Sequence, residues 1–289
     1  MTTPVLDAGR RTLGPSPLGL LVGGEPMAPR PARRREIAPN ATLVDRIDLT
    51  PSVARFVVRP DGGAPPFSPG QYFALGLEVE GALLQRPYST ASPAGATQEL
   101  EFLIRRVDTG TFTPHLWGTP AAGRVWLGPP KGLFTLRTGD ERTHLFVSTG
   151  TGLAPFVSMT ESLLRVDAGS PNRPDLRPRI AVVHGVSHVV ELAYRDRLEA
   201  WAAGGRLSYI PTISRPTNAS NDGWPGATGR TEAILGRACH ELGLDPADTV
   251  AYICGNPEMI EAATEILTGR GFREDAIVRE NYWTGPGGR

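Results

Sequence analysis

Two cysteines in 289 residues, Cys239 and Cys254, are too few to hold an iron–sulfur cluster or a structural zinc. The chain therefore carries no such centre of its own. Lysine is scarcer still, with Lys131 the only one, so arginine performs every bidentate contact to carboxylate or phosphate. Net charge is absent: 30 basic side chains balance 30 acidic ones, and no global field draws the protein to nucleic acid or to an anionic membrane. No apolar run reaches the about 18 residues that suggest a membrane span, and no secretory signal is recognisable. With so few thiols, these absences predict a cytoplasmic, reducing compartment. His184 and His188 stand four apart, but the run through Gly185 and Val186 is strand-like. A metal pair at that spacing needs a helix face, so no metal is expected.

Glycine and proline are plentiful, at 34 and 28 residues, and their placement divides the chain. Residues 1–40 are rich in Pro, Gly and Arg without period, which predicts a leader without packed structure. Met27 is an alternative start within it, and Arg33 to Arg35 read as a solvated charge run or as a contact for an acidic partner. Residues 41–138 show short β segments, at Thr42 to Ile47, Ala54 to Val58, Gln71 to Leu77, Leu100 to Val107 and Arg124 to Leu127, separated by turns such as Pro60-Asp61-Gly62-Gly63. That grammar predicts a small antiparallel barrel. Residues 139–289 alternate strands (Leu145 to Ser148, Ile180 to His184, Leu207 to Ile213, Val250 to Cys254) with helices (Pro155 to Val166, Val189 to Ala203, Thr231 to Leu242, Pro257 to Thr268). The expected fold is thus a two-domain α+β architecture, an antiparallel barrel followed by a doubly wound parallel α/β sheet.

The second region opens on Leu145 to Phe156, an apolar run ending in Gly150-Thr151-Gly152 with Pro155 following. Two glycines remove Cβ atoms from a strand-to-helix loop, and the new helix offers N–H groups and a positive dipole end. The loop suits a phosphate, or is an ordinary turn; Pro155 stands where the third glycine of the dinucleotide fingerprint would fall. Coenzyme choice is argued from charge. Usual NAD sites bond the ribose 2′-hydroxyl with an acid at the second strand's end, but here that strand runs into Val186-Ser187-His188. The third ends in Ser214-Arg215, and Arg230 follows across a polar loop, a hydroxyl and two guanidinium groups suited to a 2′-phosphate.

The barrel region carries Phe67 to Tyr72, Arg86-Pro87-Tyr88-Ser89 and Gly110-Thr111-Phe112-Thr113. Arg86 offers a planar fork for a diphosphate, Tyr88 a flat face and Ser89 a hydroxyl; the alternative is a surface ion pair and a barrel-wall aromatic. Together with Gly128-Pro129-Pro130-Lys131-Gly132, Gly150 to Pro155, Cys254-Gly255-Asn256-Pro257 and Glu280-Asn281-Tyr282-Trp283, these motifs stand in the order of the ferredoxin–NADP reductase family, which residues 41–283 resemble. The resemblance implies an NADPH:FAD oxidoreductase that exchanges electrons with ferredoxin or flavodoxin, an acidic carrier, and an enzyme that works as a monomer. It implies FAD held by Arg86, Pro87, Tyr88, Ser89, Phe102, Ile104, Arg105, Thr113 and Trp283. NADP(H) is implied at Gly150, Thr151, Gly152, Ser214, Arg215, Arg230, Cys254, Gly255 and Asn256. Ser89, Cys254 and Tyr282 are implied at the reacting centre, Cys254 as a packing group and Tyr282 or Trp283 as the ring covering the flavin. The alternatives are a reductase component for an oxygenase and a non-enzymatic nucleotide-binding electron relay.

Overall fold

A computed structural model describes residues 38–95, 98–137, 139–168 and 179–281. The leader up to residue 37, Thr138 and the aromatics Tyr282 and Trp283 lie outside the described residues. The first part is six strands: β1 (Ala41–Thr50), β2 (Val53–Pro60), β3 (Tyr72–Val79), β4 (Ala82–Ser89), β5 (Leu100–Arg105) and β6 (Arg124–Leu127). Their order is β4-β3-β6-β1-β2-β5, every pair antiparallel. A bridge between Thr90 and Phe102 joins the two outer strands at one end, closing the sheet into a barrel. Alternate residues face inward, and Leu43, Phe56, Val58, Phe73, Leu75 and Phe102 make up much of the core. A short helix, α1 (Thr113–Gly118), adds Leu116 to that core and sets Trp117 edge-on to Phe56.

Strand β4 was not among the segments the sequence marked. It carries Gln85, Arg86 and Pro87 where an apolar alternation would signal a strand, and its hairpin turns on Glu80-Gly81, both at positive φ. Pro87 is tolerated because β4 pairs only with β3 over most of its length.

The second part is a parallel sheet of β7 (Thr143–Thr149), β8 (Ile180–Val186), β9 (Ser208–Ile213), β10 (Ala227–Thr228), β11 (Thr249–Gly255) and β12 (Ile277–Asn281), in the order β10-β9-β8-β7-β11-β12. The helices are α2 (Ala154–Ala168), α3 (Arg195–Ala203), α4 (Thr231–Glu241) and α5 (Pro257–Gly269). Strands buried on both faces read as continuous apolar runs, and alternate residues of one strand serve different layers. Phe146 and Tyr252 pack with α2, whereas Leu145, Val147 and Ile253 pack with α4 and α5. From β7 the chain moves outward to β8, β9 and β10, then returns to β11 on the other side. The reversal leaves a crevice at the carboxyl ends of β7 and β11, where ligands of open α/β sheets bind.

One expected helix is broken. Instead of a single element from Val189 to Ala203, a 3₁₀ turn spans Val189–Glu191 and α3 begins at Arg195 after Tyr194, whose φ is +58°. The Glu191 carboxylate accepts N–H bonds from Ser187 (3.0 Å) and His188 (3.2 Å), which fixes a local turn in place of a helix start. Helix α2 likewise follows a 3₁₀ turn over Gly150–Leu153.

The two parts share a core. Val53, Ala91, Leu103 and Phe134 from the barrel side join Phe146, Leu153, Phe156 and Tyr252 in one buried cluster. Phe134 lies 5.8 Å from Phe156 and 6.0 Å from Tyr252, ring centre to ring centre.

Candidate coenzyme cavity and flavin-binding strand

A cavity of about 430 Å³ occupies the crevice at the sheet's switch point. Its floor is the loop after β7. Gly150 has a φ of +54°, a left-handed conformation that suits glycine. A Cβ on Gly152 would come within 2.8 Å of the Cys254 carbonyl carbon and 2.9 Å of the Gly255 Cα. At Gly255 the φ is +144°, and a Cβ there would crowd the Thr149 backbone N at 3.0 Å and overlap the Thr149 side chain. The loop and the end of β11 therefore approach as closely as bare backbone allows. Thr149 Oγ1 accepts the Asn256 N–H at 3.1 Å and ties the two together.

Behind the loop, His184 is fully buried and its Nε2–H donates to the Gly150 carbonyl at 3.1 Å, leaving Nδ1 to accept from the Tyr209 hydroxyl at 3.4 Å. Burial pushes the imidazole down to about 4, only partly opposed by that backbone bond, so the ring is neutral at pH 7. His184 is thus a support for the glycine loop. Periodicity marked it as a strand residue and gave no sign of this contact.

Ser214 and Arg230 line the cavity, and so does Arg105 at the end of barrel strand β5. Arg105 was expected at the flavin; its guanidinium reaches Glu191 at 3.2 Å and the Gly150 neighbourhood, and the residue lines this cavity. Arg215 is exposed and does not line the cavity; its carbonyl accepts from Asn221 Nδ2 at 2.8 Å. The Asn256 side chain is also committed elsewhere. Its Oδ1 caps α5, accepting from Glu258 N (2.8 Å) and Met259 N (3.3 Å). Thr151, Gly255 and the Asn256 residue still line the cavity. Cys254 is fully buried at the end of β11, a packing position.

Strand β4 has a different character. Arg86 donates to the Thr111 hydroxyl at 3.1 Å and to the Gln85 carbonyl at 2.8 Å, and it has no carboxylate partner among the described residues. Its charge is uncompensated and fits an anionic diphosphate. Tyr88 shares a face with Arg86, packs against the barrel core, and lies 6.0 Å from Phe112 with the rings tilted by 34°. Burial pushes its phenol up, so the hydroxyl stays protonated. Ser89 is buried, Pro87 exposed.

Three further residues expected to touch the flavin have their side chains committed within the barrel. Phe102 and Ile104 point into the barrel core, 0 % and 1 % exposed, because β5 alternates and these are its inward positions. The Thr113 hydroxyl is spent on the Val107 backbone, accepting from N at 2.9 Å and donating to O at 3.0 Å. Thr111, two residues earlier, takes the place beside Arg86.

A guanidinium available to a diphosphate stands on a barrel followed by a parallel sheet with a glycine-lined cavity, and comparison with known proteins agrees with that pairing. Residues 40–136 match the oxidoreductase FAD-binding domain and residues 146–265 the oxidoreductase NAD-binding domain. Ferredoxin–NADP reductase B of Sorangium cellulosum is 32 % identical over 235 residues, covering 80 % of this chain and 91 % of that one. The chain belongs to the ferredoxin–NADP reductase family. It is an FAD- and NAD(P)-binding oxidoreductase of that family. Among other members, the Azotobacter vinelandii ferredoxin–NADP reductase is 32 % identical, covering 72 % of this chain and 80 % of its own. The toluate 1,2-dioxygenase electron transfer component of Pseudomonas putida is 31 % identical over 75 % of this chain, which spans 59 % of that longer protein. The Neisseria gonorrhoeae ferredoxin NADP+ reductase, solved with FAD and NADP, superposes with a TM-score of 0.68 at 25 % identity, covering 84 % of this chain and 98 % of that one. Among the described residues no helix is long and apolar enough to cross a membrane.

Proposed function

We propose that this family member is an NADPH-dependent ferredoxin or flavodoxin reductase, with residues 41–138 as its flavin domain and 139–289 as its coenzyme domain. The observation that carries the reading is the position of the cavity, walled on one side by Arg105 of the barrel, so that a coenzyme on the glycine loop lies against the flavin-binding half. Bound FAD supplies the conversion of a two-electron hydride donor into single-electron steps. The protein's own groups orient and hold. Arg86, positioned by Thr111, takes the flavin pyrophosphate, Tyr88 gives the ring a flat apolar face, and Ser89 offers a hydroxyl to a ring nitrogen. Gly150 and Gly152 let the coenzyme pyrophosphate approach the backbone, and Cys254 packs beneath the nicotinamide without covalent chemistry. Ser214 and Arg230, with Arg215 reaching in from the rim, meet the 2′-phosphate. The acceptor is an acidic one-electron carrier in the cytoplasm, and the enzyme acts as a monomer.

A second reading, a reductase component serving an oxygenase, is supported by the likeness to the toluate dioxygenase component. Reduction of cytochrome c by NADPH, measured with the host's ferredoxins, flavodoxins and oxygenase partners in turn, separates the two. A fast rate through a ferredoxin or flavodoxin is expected. Turnover only with an oxygenase component would favour the second reading, and no ferricyanide reduction by NADPH or NADH would reject both.

The coenzyme assignment carries its own expectation. Arg230→Ala should lower NADPH kcat/KM by the worth of a charged hydrogen bond, about 1.5 to 3 kcal/mol, and Arg215→Ala by less because its side chain starts outside the cavity. NADH has no 2′-phosphate to lose and should be spared. Steady-state kinetics with both coenzymes reads this directly, and equal losses would reject the phosphate contact.

A further inference from the structure

We propose that Glu232 restrains the coenzyme selectivity of this site by holding Arg230, so that the chain discriminates less sharply against NADH than its arginines alone imply. The inference rests on the NADPH reading above. Arg230 Nε lies 2.8 Å from Glu232 Oε1, and its Nη2 lies 3.8 Å from Glu258 Oε2. The two acids differ in weight. Glu258 is 83 % exposed and largely screened by water, whereas the Glu232 side chain is only 19 % exposed. Glu232 also lines the cavity, and its second oxygen, Oε2, is buried without a partner among the described residues.

A 2′-phosphate that pairs with Arg230 must therefore share its guanidinium with a carboxylate already bonded to it. It must also sit near a like charge, which costs binding. A ribose 2′-hydroxyl meets the opposite situation, because a carboxylate oxygen accepts a hydrogen bond from its O–H. The strand end Val186-Ser187-His188 itself carries no acid, and Glu232 supplies a cavity-lining carboxylate from the first turn of α4. An acid in a helix's first turn also complements the dipole. That role alone would change stability and leave the coenzyme ratio where it is.

The test uses the FAD-loaded enzyme. In Glu232→Gln the NADPH to NADH ratio of kcat/KM, with ferricyanide as acceptor, should rise roughly fivefold, the factor for one partly exposed charge interaction. Calorimetric titration should show adenosine 2′,5′-bisphosphate gaining affinity relative to 5′-AMP by a similar factor, independent of turnover. Both gains should shrink in an Arg230→Ala background, because the part that acts through that guanidinium is lost while the direct effect of the carboxylate on phosphate and hydroxyl remains. Glu232→Ser, which keeps a residue tolerated at a helix start, carries the same expectations should the Gln variant fold poorly. An unchanged ratio and unchanged relative affinity, or a gain that persists in full without Arg230, would overturn the proposal. Failure of the wild type to oxidise either coenzyme would count against the reductase reading itself, while the titration still decides the role of Glu232.

Discussion

Arg86→Ala and Tyr88→Ala should each yield protein that loses its flavin on dialysis. The Arg86 guanidinium is held by a hydroxyl and a carbonyl and faces no carboxylate among the described residues, so its charge is available to a phosphate. Losing a charged hydrogen bond costs about 1.5 to 3 kcal/mol, which is roughly tenfold or more in affinity. Tyr88 contributes differently, through buried ring area and an aromatic contact worth about 0.5 to 1.5 kcal/mol beyond that area. The ratio of flavin to protein absorbance before and after dialysis measures both. Variants that stay fully yellow would remove these residues from the flavin site. Ser89→Ala should retain flavin and slow hydride transfer in stopped-flow traces, since its small hydroxyl adds little affinity.

Gly255→Ala is expected to damage the coenzyme site more than any loss of a charged contact. Two penalties coincide there. The φ of +144° lies in a region that L side chains rarely adopt, and a Cβ would overlap the Thr149 side chain and press on its backbone. Strained backbone costs about 1 to 3 kcal/mol and overpacking about 1 to 3 kcal/mol more. Relief would require Thr149 to move, breaking the Asn256 N–H to Thr149 Oγ1 bond and displacing the glycine loop. Thermal unfolding should show a lower Tm, and NADP+ affinity by difference spectroscopy should fall even in the folded fraction. Gly62→Ala, where a Cβ meets nothing within 4 Å, is the matched control. Wild-type affinity and Tm in Gly255→Ala would show that the close approach of the two loops is not needed.

The alternation of strand and helix after residue 139 was legible because the β strands, buried on both faces, are continuous apolar runs bounded by glycine and proline. The edge of the barrel was not. Pro87 and the charged neighbours of β4 hide a strand that local propensity disfavours, and it exists because β3 offers a complete ladder for it. Site residues followed the same division. Arg86, Tyr88, Gly150 and Gly152 are local in sequence and stand where their motifs place them. The side-chain directions of Phe102, Ile104 and Thr113 were not legible, because strand parity or a backbone partner decides them. His184 and Glu191 gave no local signal because their partners, Gly150 and Arg105, are fixed by tertiary packing, while Glu232, two residues after Arg230, reads in sequence as an ordinary first-turn acid.

The buried cluster that runs from Val53 and Leu103 through Phe134 to Phe146 and Tyr252 makes the two redox halves a single cooperative unit. Cutting the chain between them would lay bare Phe134 on one fragment and Phe156 on the other, two rings that meet only across the cut. Neither fragment would keep its native surface, and a chimera that swaps one half for a relative's must match these aromatics as well as the loop lengths. Wide separation of the halves would expose these rings to water, so the shared hydrocarbon opposes domain opening.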